Sequence, residues 1–224
     1  MIDIEPLLLT AKLAFITTIV LLVIGIPVAH WFSFTRFRFK PALEAIITLP
    51  LVLPPTVLGF YLLLAFSPEN AVGKFLHHYF NIRLVFTFGG LVVASVIYSL
   101  PFMVNPILAG LKGLPRSLQE ASITLGKSGF ITLIKILLPN IRVSILTGVI
   151  MTFAHCTGEF GVVLMVGGSI PKETRVASVA LFEQVQNMNY HTANIYAAIL
   201  IFFSFSVLLA VYLLNDKFRK THIL

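Results

Sequence analysis

The chain is short of what a soluble enzyme keeps on its surface. Of its 224 residues only 11% are charged, sixteen bases against nine acids, while 58% are hydrophobic and mean hydropathy is +0.95. A soluble core of this length would need a much larger charged surface, so the bilayer has to serve as part of the solvent. There is one cysteine, Cys156, which excludes an internal disulfide. His77–His78 and His155–Cys156 are adjacent pairs without the spacing of a metal site, and they read as loop and packing residues. No Walker A sequence, nucleophile elbow or HExxH occurs, so no catalytic apparatus is visible. Any energy the chain uses comes from an ion gradient or from a partner. The net charge of +7 does not point to nucleic acid, because the bases form short clusters between apolar runs rather than a groove with interleaved aromatics.

Long apolar runs are what the sequence does have. A helix needs about 20 residues to cross the hydrocarbon core, and five stretches reach that length: Leu7–Phe32, Ala42–Phe66, Leu84–Ala109, Pro139–Gly158 and Ala193–Leu214. The third and fifth contain no Asp, Glu, Lys or Arg. Glu159–Gly168, "EFGVVLMVGG", is apolar but too short to span and reads as a re-entrant or interfacial piece. Residues 1–224 are therefore expected to form one all-α transmembrane domain of five helices, with the longest loop at 110–138.

Loop charge sets the orientation. Arg36, Arg38 and Lys40 follow the first run, Lys112, Arg116, Lys127 and Lys135 the third, and Lys217, Arg219 and Lys220 the fifth, ten bases in all. The opposite loops hold four, Lys74, Arg83, Lys172 and Arg175, and the N-terminus opens with Asp3 and Glu5. The positive-inside bias places the ten in the cytoplasm, the N-terminus outside and the C-terminus inside. The first run is not read as a cleaved signal peptide, since its leading residues are acidic and no A-x-A site closes it.

The long cytoplasmic loop contains a charged, glycine-broken stretch, "EASITLGKSGFITLIKILLP" (Glu120–Pro139). Pro115 suits a first helical position, and Leu114, Leu118, Ala121 and Leu125 recur at helical spacing as one apolar stripe. Arg116, Gln119, Glu120 and Lys127 fall mainly away from that stripe. Arg116 and Glu120 are four apart, the spacing of a helical ion pair. Gly126 is expected to end the helix in the left-handed conformation, with Ser128 or Gly129 capping a second one through Lys135. On these residues alone, the stretch is either an amphipathic loop lying on headgroups or a docking element.

Its residue pattern resembles the EAA loop of ABC importer permeases, E-A-A-x3-G-x9-I-x-L-P. Glu120, Ala121, Gly126, Ile136, Leu138 and Pro139 stand at the matching places, and Ser122 replaces the second alanine with another small residue. The resemblance implies a helix seated in a groove of a separate ATPase subunit. "LPLVLPPTVLGFYLLL" (Leu49–Leu64), "YSLPFMVNPI" (Tyr98–Ile107) and "GEFGVVLMVGGSIPKETRVASVALFEQVQ" (Gly158–Gln186) are similar to the molybdate permease subunit, and sulfate permeases share a similar GEFG region. That implies the type I ABC importer permease fold and oxyanion import across a bacterial inner membrane. The partners implied are a second copy of the chain, a cytoplasmic ATPase dimer holding ATP and Mg, and an extracytoplasmic binding protein. No cofactor is expected on this chain, and its end soon after the fifth run leaves no room for a C-terminal regulatory domain.

The residues of those stretches suit an anion path. Pro50, Pro54 and Pro55 remove amide donors and break the second run, and Pro101, Asn105 and Pro106 repeat the theme in the third. Such backbone is tolerated in a membrane against protein or a water-filled cavity, although prolines are also simple kinks. Glu159, Phe160 and Gly161 complete the candidate path or gate, with Glu159 read either as a charged gate or as a cap accepting backbone N–H bonds. No run carries Lys or Arg at mid-depth, and Arg142 snorkels near an end. A path without a fixed cation holds a dianion weakly, as a conduit must. An ion-coupled secondary transporter is disfavoured by the lack of an internal repeat and of buried ionisable residues beyond Glu44 and Glu159. A membrane anchor for an enzyme complex is the other alternative, and among permeases a sulfate, thiosulfate or tungstate transporter.

Overall fold

A computed structural model describes residues 3–35 and 37–221, with the helical backbone alone for 211 and 214–221. No strand occurs among the described residues. The first helix, α1 (Glu5–Phe34), is the expected first span, extended by two residues at each end and tolerating Pro27. The second run is not one straight helix. It forms α2 (Lys40–Thr48), a 3-10 turn at Leu49–Leu51 and α3 (Pro55–Phe66), and the chain bends by 108° between the two halves. The physical reason lies in the three prolines, which deny the ladder their amides, and in Pro55, which forces Pro54 before it out of the α region, whereas Leu49 before Pro50 stays helical. Pro54, the N-cap of α3, sits at ψ 132°. At 12 residues α3 rises about 18 Å, short of the roughly 30 Å core, so this crossing is bent.

A connection follows, with the amphipathic α4 (Ala71–Phe80) closed by Asn81 in the left-handed conformation. The third span is α5 (Phe88–Gly113), four residues later at both ends than the apolar run predicts. Thr87 fixes its start by accepting the Gly90 N–H at 3.2 Å. Pro101 and Pro106 lie inside α5 without ending it.

The expected loop 110–138 folds as α6 (Arg116–Thr124), α7 (Gly129–Thr132), a π turn at Leu133–Leu137 and α8 (Leu138–Asn140). Pro139 has no N–H for the carbonyl of Lys135, and the turn before it is widened accordingly. After a 78° bend comes α9 (Arg142–Gly158), which falls on the fourth apolar run. Glu159–Gly168 is a buried turn rather than an interfacial one. Within it α10 (Gly161–Gly167) places Val162, Val163 and Val166 in the core, and Gly168 reverses the chain at φ +62°. The loop to the last span contains α11 (Ala177–Gln186), itself buried along Ala177–Ala180 and not foreseen from sequence. The last helix is α12 (Tyr190–Thr221), with one apolar flank bare (Ile201, Phe202, Phe205). Three helices are long and apolar enough to cross a membrane, and five crossings result if each bent pair counts as one.

The bundle is built around α1, α5 and α9. α1 and α5 run parallel: Leu13 joins Leu91 in one apolar cluster, while Leu21 and Phe32 join Met103, Leu108 and Leu111 in another, which also takes in Leu137 and Ile141. The end of α1, the start of α2, the end of α5 and α6 therefore share one end of the molecule. At the other end the N-terminal segment is tied down. Arg175 bonds Glu183 at 2.8 Å and lies 3.6 Å from Asp3, and the Tyr196 hydroxyl donates to the Asp3 carbonyl at 2.6 Å. Lys12, overlooked in the loop count because it lies inside the first run, sits 4.6 Å over the Phe88 ring.

Candidate functional sites

The EAA-like stretch stands outside the bundle as two helices joined by a left-handed turn. Gly126 has φ +70°, as its position requires. Its N–H donates to Ile123 O at 2.8 Å, and the Lys127 N–H reaches Ser122 O at 3.1 Å, the paired bonds of a Schellman motif. Ser128 caps α7, its hydroxyl accepting from the Ile131 amide at 3.3 Å. Pro115 is the N-cap of α6 rather than its first residue.

Ser122 is the pivot of this hairpin. It is 1% exposed, and its hydroxyl meets that of Thr132 at 2.7 Å. Thr132 in turn donates to Ser128 O at 3.0 Å, which leaves Ser122 as the donor to Thr132. The departure from the family's second alanine thus clamps α6 to α7.

The expected stripe does not hold. Leu114 and Leu118 are half-buried, but Ala121 is exposed and Leu125 is 75% exposed. The buried face runs Leu118–Ser122, one residue round, because the Ser122–Thr132 bond sets the rotation of α6. Ile123, Leu125 and Phe130 (72% exposed) consequently face outward, so the hairpin presents an apolar surface edged by Glu120 and Lys127. Arg116 and Glu120 form no ion pair among the described residues. Of the remaining motif residues, Ile136 lies in the π turn, and Leu138 and Pro139 begin the short α8 that leads into α9.

The candidate path residues divide between places. Pro55, Glu159, Phe160 and Gly161 line a cavity of about 460 Å³ together with Tyr98 and His155. Its wall depends on a close contact between α3 and α10. A Cβ on Gly161 would stand 3.1 Å from the Thr56 amide, and one on Gly59 would stand 3.0 Å from Val162 Cα. Tyr98 and His155 were missed as wall residues. The His155 ring stacks on Phe102 at 4.0 Å and leans on Tyr98 at 4.7 Å. Pro50 is buried in the 3-10 turn, Pro54 caps α3 and Pro101 is enclosed in α5, so all three shape helices without lining the cavity. Asn105 borders a separate cavity of about 70 Å³ beside Glu44 and Thr48.

Among the described residues Glu159 is the one buried acid, 4% exposed, in the break between α9 and α10. Ser95 Oγ donates to its Oε2 at 2.9 Å, and Ser178 Oγ donates to its backbone carbonyl at 2.6 Å. Its Oε1 has no partner among the described residues, and no backbone amide bonds the carboxylate. Three elements, α5, α9 and α11, are thereby joined at one acid. Ser95 lies seven residues into α5, about 10 Å from its end, so Glu159 is deeper than the outer end of a span. Cys156, one turn earlier, is buried with its thiol 3.2 Å from Ser99 Oγ.

Comparison with known proteins agrees with this architecture. Over 94% of its length the chain is 45% identical to the molybdenum transport system permease protein ModB of Azotobacter vinelandii, of which it covers 93%. It is 32% identical over 92% of its length to the sulfate transport system permease protein CysT of Escherichia coli, covering 74% of that protein. Its fold resembles that of a chain in a bacterial ABC transporter that imports the acidic polysaccharide alginate, with TM-score 0.74 and 18% identity over 97% of this chain and 79% of the other. Residues 15–220 match the family described as the binding-protein-dependent transport system inner membrane component. By that match and by its relatives, the chain belongs to this family of membrane permeases.

Proposed function

We propose that the chain is the membrane-spanning subunit of an ATP-driven importer that carries an oxyanion, molybdate foremost, into the bacterial cytoplasm. On this reading residues 1–224 form one permease domain of the type I importer kind. Its five crossings have the N-terminus outside and the C-terminus inside, the second being bent at Pro54. Two copies pair, so that two α6–α7 hairpins meet the two sites of an ATPase dimer. ATP and Mg are held by that dimer, and this chain binds no cofactor. A separate extracytoplasmic protein selects the anion, and the membrane is the inner one.

The observation that carries the reading is the α6–α7 hairpin. Its central turn is capped at Gly126 and Ser128 and its halves clamped by Ser122–Thr132, yet it turns Ile123, Leu125 and Phe130 outward. Exposed apolar surface of this kind marks an interaction site. Glu120, Ala121, Gly126, Ile136, Leu138 and Pro139 supply its coupling function, and Ser122 locks it. The broken α2–α3 and α9–α10 segments provide the movable wall of the path around Pro55, Glu159, Phe160 and Gly161. Glu159 closes that wall by holding Ser95 of α5 and Ser178 of α11 together.

The similarity to a molybdenum permease favours molybdate over sulfate as substrate. Uptake by the reconstituted complex tests this, with molybdate, tungstate and sulfate offered through the cognate binding protein and ATP inside or outside the liposome. ATP-dependent molybdate accumulation is expected. Accumulation without ATP, driven by an ion gradient, would sink the reading, and sulfate accumulation alone would reassign the substrate.

A further inference from the structure

A second cavity, about 530 Å³ in volume, opens at the basic end of the molecule between the end of α1, the start of α2, the end of α5 and the first turn of α6. Its polar rim carries Lys40, Lys112 and Arg116, and Phe34 and Leu137 form part of its apolar side. Lys112 is engaged by Glu44 at 3.0 Å. Lys40 and Arg116 have no ion pair among the described residues. Glu120, also on the rim, offsets one positive charge and leaves the cavity basic. The nine-residue α6 begins here, and its N-cap Pro115 offers no side-chain acceptor. Although the Leu118 amide donates to Pro115 O at 3.2 Å, the amides of Arg116 and Ser117 have no acceptor among the described residues.

Lys40 and Arg116, neither in an ion pair among the described residues, around one hollow of net positive charge beside a helix start are the donor set of a tetrahedral oxyanion. We propose that this cavity is a binding site for a phosphate-type oxyanion, held by Lys40, Arg116 and the first turn of α6. It is separate from the Glu159 cavity, since no residue lines both. The site depends on α1 and α5 crossing the bilayer and not on the identity of the transported anion. Because both helices end at this cavity, it lies at headgroup level. Its apolar side suits the glycerol and upper acyl chain of an anionic phospholipid, and basic hollows between membrane helices on the cytoplasmic side take such headgroups. A free anion in the cytoplasm presents the same tetrahedral oxygens.

The purified full-length chain tests the site by native mass spectrometry in neutral detergent, with phosphatidylglycerol or phosphatidylcholine added, and by titration with inorganic phosphate. Wild type is expected to retain phosphatidylglycerol over phosphatidylcholine. Lys40→Gln with Arg116→Gln should weaken that retention about thirtyfold, roughly fivefold for each charge. Lys40→Arg should retain it, and Arg83→Gln in the opposite loop should have no effect. Unchanged melting temperature in the double variant separates loss of the site from loss of fold. Phosphate binding that disappears in the double variant supports the site with a soluble anion as its ligand. Equal retention of phosphatidylglycerol by wild type and the double variant, with no phosphate binding to either, overturns the proposal.

Discussion

At the scale of the residue, two side chains carry more than their neighbours. Glu159 is buried with one oxygen bonded to Ser95 and the other without a partner, which is costly for any acid and is retained where it serves a function. Glu159→Gln keeps the acceptor for Ser95 and the size of the side chain. Liposomes containing this variant with the ATPase are expected to hydrolyse ATP faster than wild type in the absence of binding protein, because a neutral amide holds Ser95 of α5 less firmly than a carboxylate does, while the Ser178 bond to the backbone carbonyl is untouched. A basal rate equal to that of wild type would leave Glu159 as a packing residue. Ser122 is the second. Ser122→Ala restores the family's alanine but removes the donor to Thr132. A loss of about 1 kcal/mol is expected, seen as a melting temperature roughly 2–4 °C lower for a chain of this length. Ser122→Thr, which keeps the hydroxyl, should recover part of it.

Among the elements, the hairpin α6–α7 and the pair α3–α10 are the ones whose geometry admits little substitution. Gly126 at φ +70° closes the Schellman turn and has no neighbour within 4 Å, so the constraint there is conformational. Gly126→Val forces a β-branched residue into the left-handed region at a cost of about 1–2 kcal/mol. The variant is expected to insert and to fold its spans, yet to lose the ATPase during purification. A stoichiometric ATPase in the purified material would show that the turn is not needed for docking. The α3–α10 contact is steric instead. A side chain at Gly59 meets the backbone of Val162 and the side chain of Met165, so Gly59→Val should destabilise by about 1–3 kcal/mol and cut the yield of monodisperse protein. Gly113→Ala, at a helical position with open space around it, is the matched control and should be neutral or stabilising by up to about 1 kcal/mol.

For the whole molecule, the proposed function, with one hairpin per chain for two ATPase sites, predicts pairing across a two-fold axis. The mass of the intact complex is expected to correspond to two copies of this chain with two ATPase subunits. A different permease chain in the purified complex would overturn the symmetric arrangement. Mass is the appropriate measurement because Cys156 is 2% exposed and bonded to Ser99, which leaves it no reach for crosslinking to a partner.

Local chemistry was enough to determine much of this protein from its sequence. Apolar runs longer than a bilayer is thick become helices whatever surrounds them, and α1, α5 and α12 fall where hydropathy puts them. The left-handed Gly126, the Ser128 cap and the break at Pro54 follow from backbone restrictions that act within four residues. The family was legible for a similar reason, since the EAA-like spacing is a property of one continuous stretch. Other features were decided only by contacts between distant residues. The rotation of α6 was misread because it depends on a hydroxyl ten residues away in α7, and apolar periodicity alone could not register a buried serine. The helix α11 was hidden because its burial comes from packing against α1 and α12, which a polar-flanked ten-residue stretch does not announce. Pro50, Pro54, Pro101 and Asn105 were grouped with Glu159 by composition, whereas the fold sends only Pro55, Glu159, Phe160 and Gly161 to one cavity and brings Tyr98 and His155 to join them. Sequence set where the chain could not continue as a helix. Which broken ends would meet was decided by the 108° and 78° bends and by the close passage of α3 over α10, because packing at that distance depends on shape across the whole bundle.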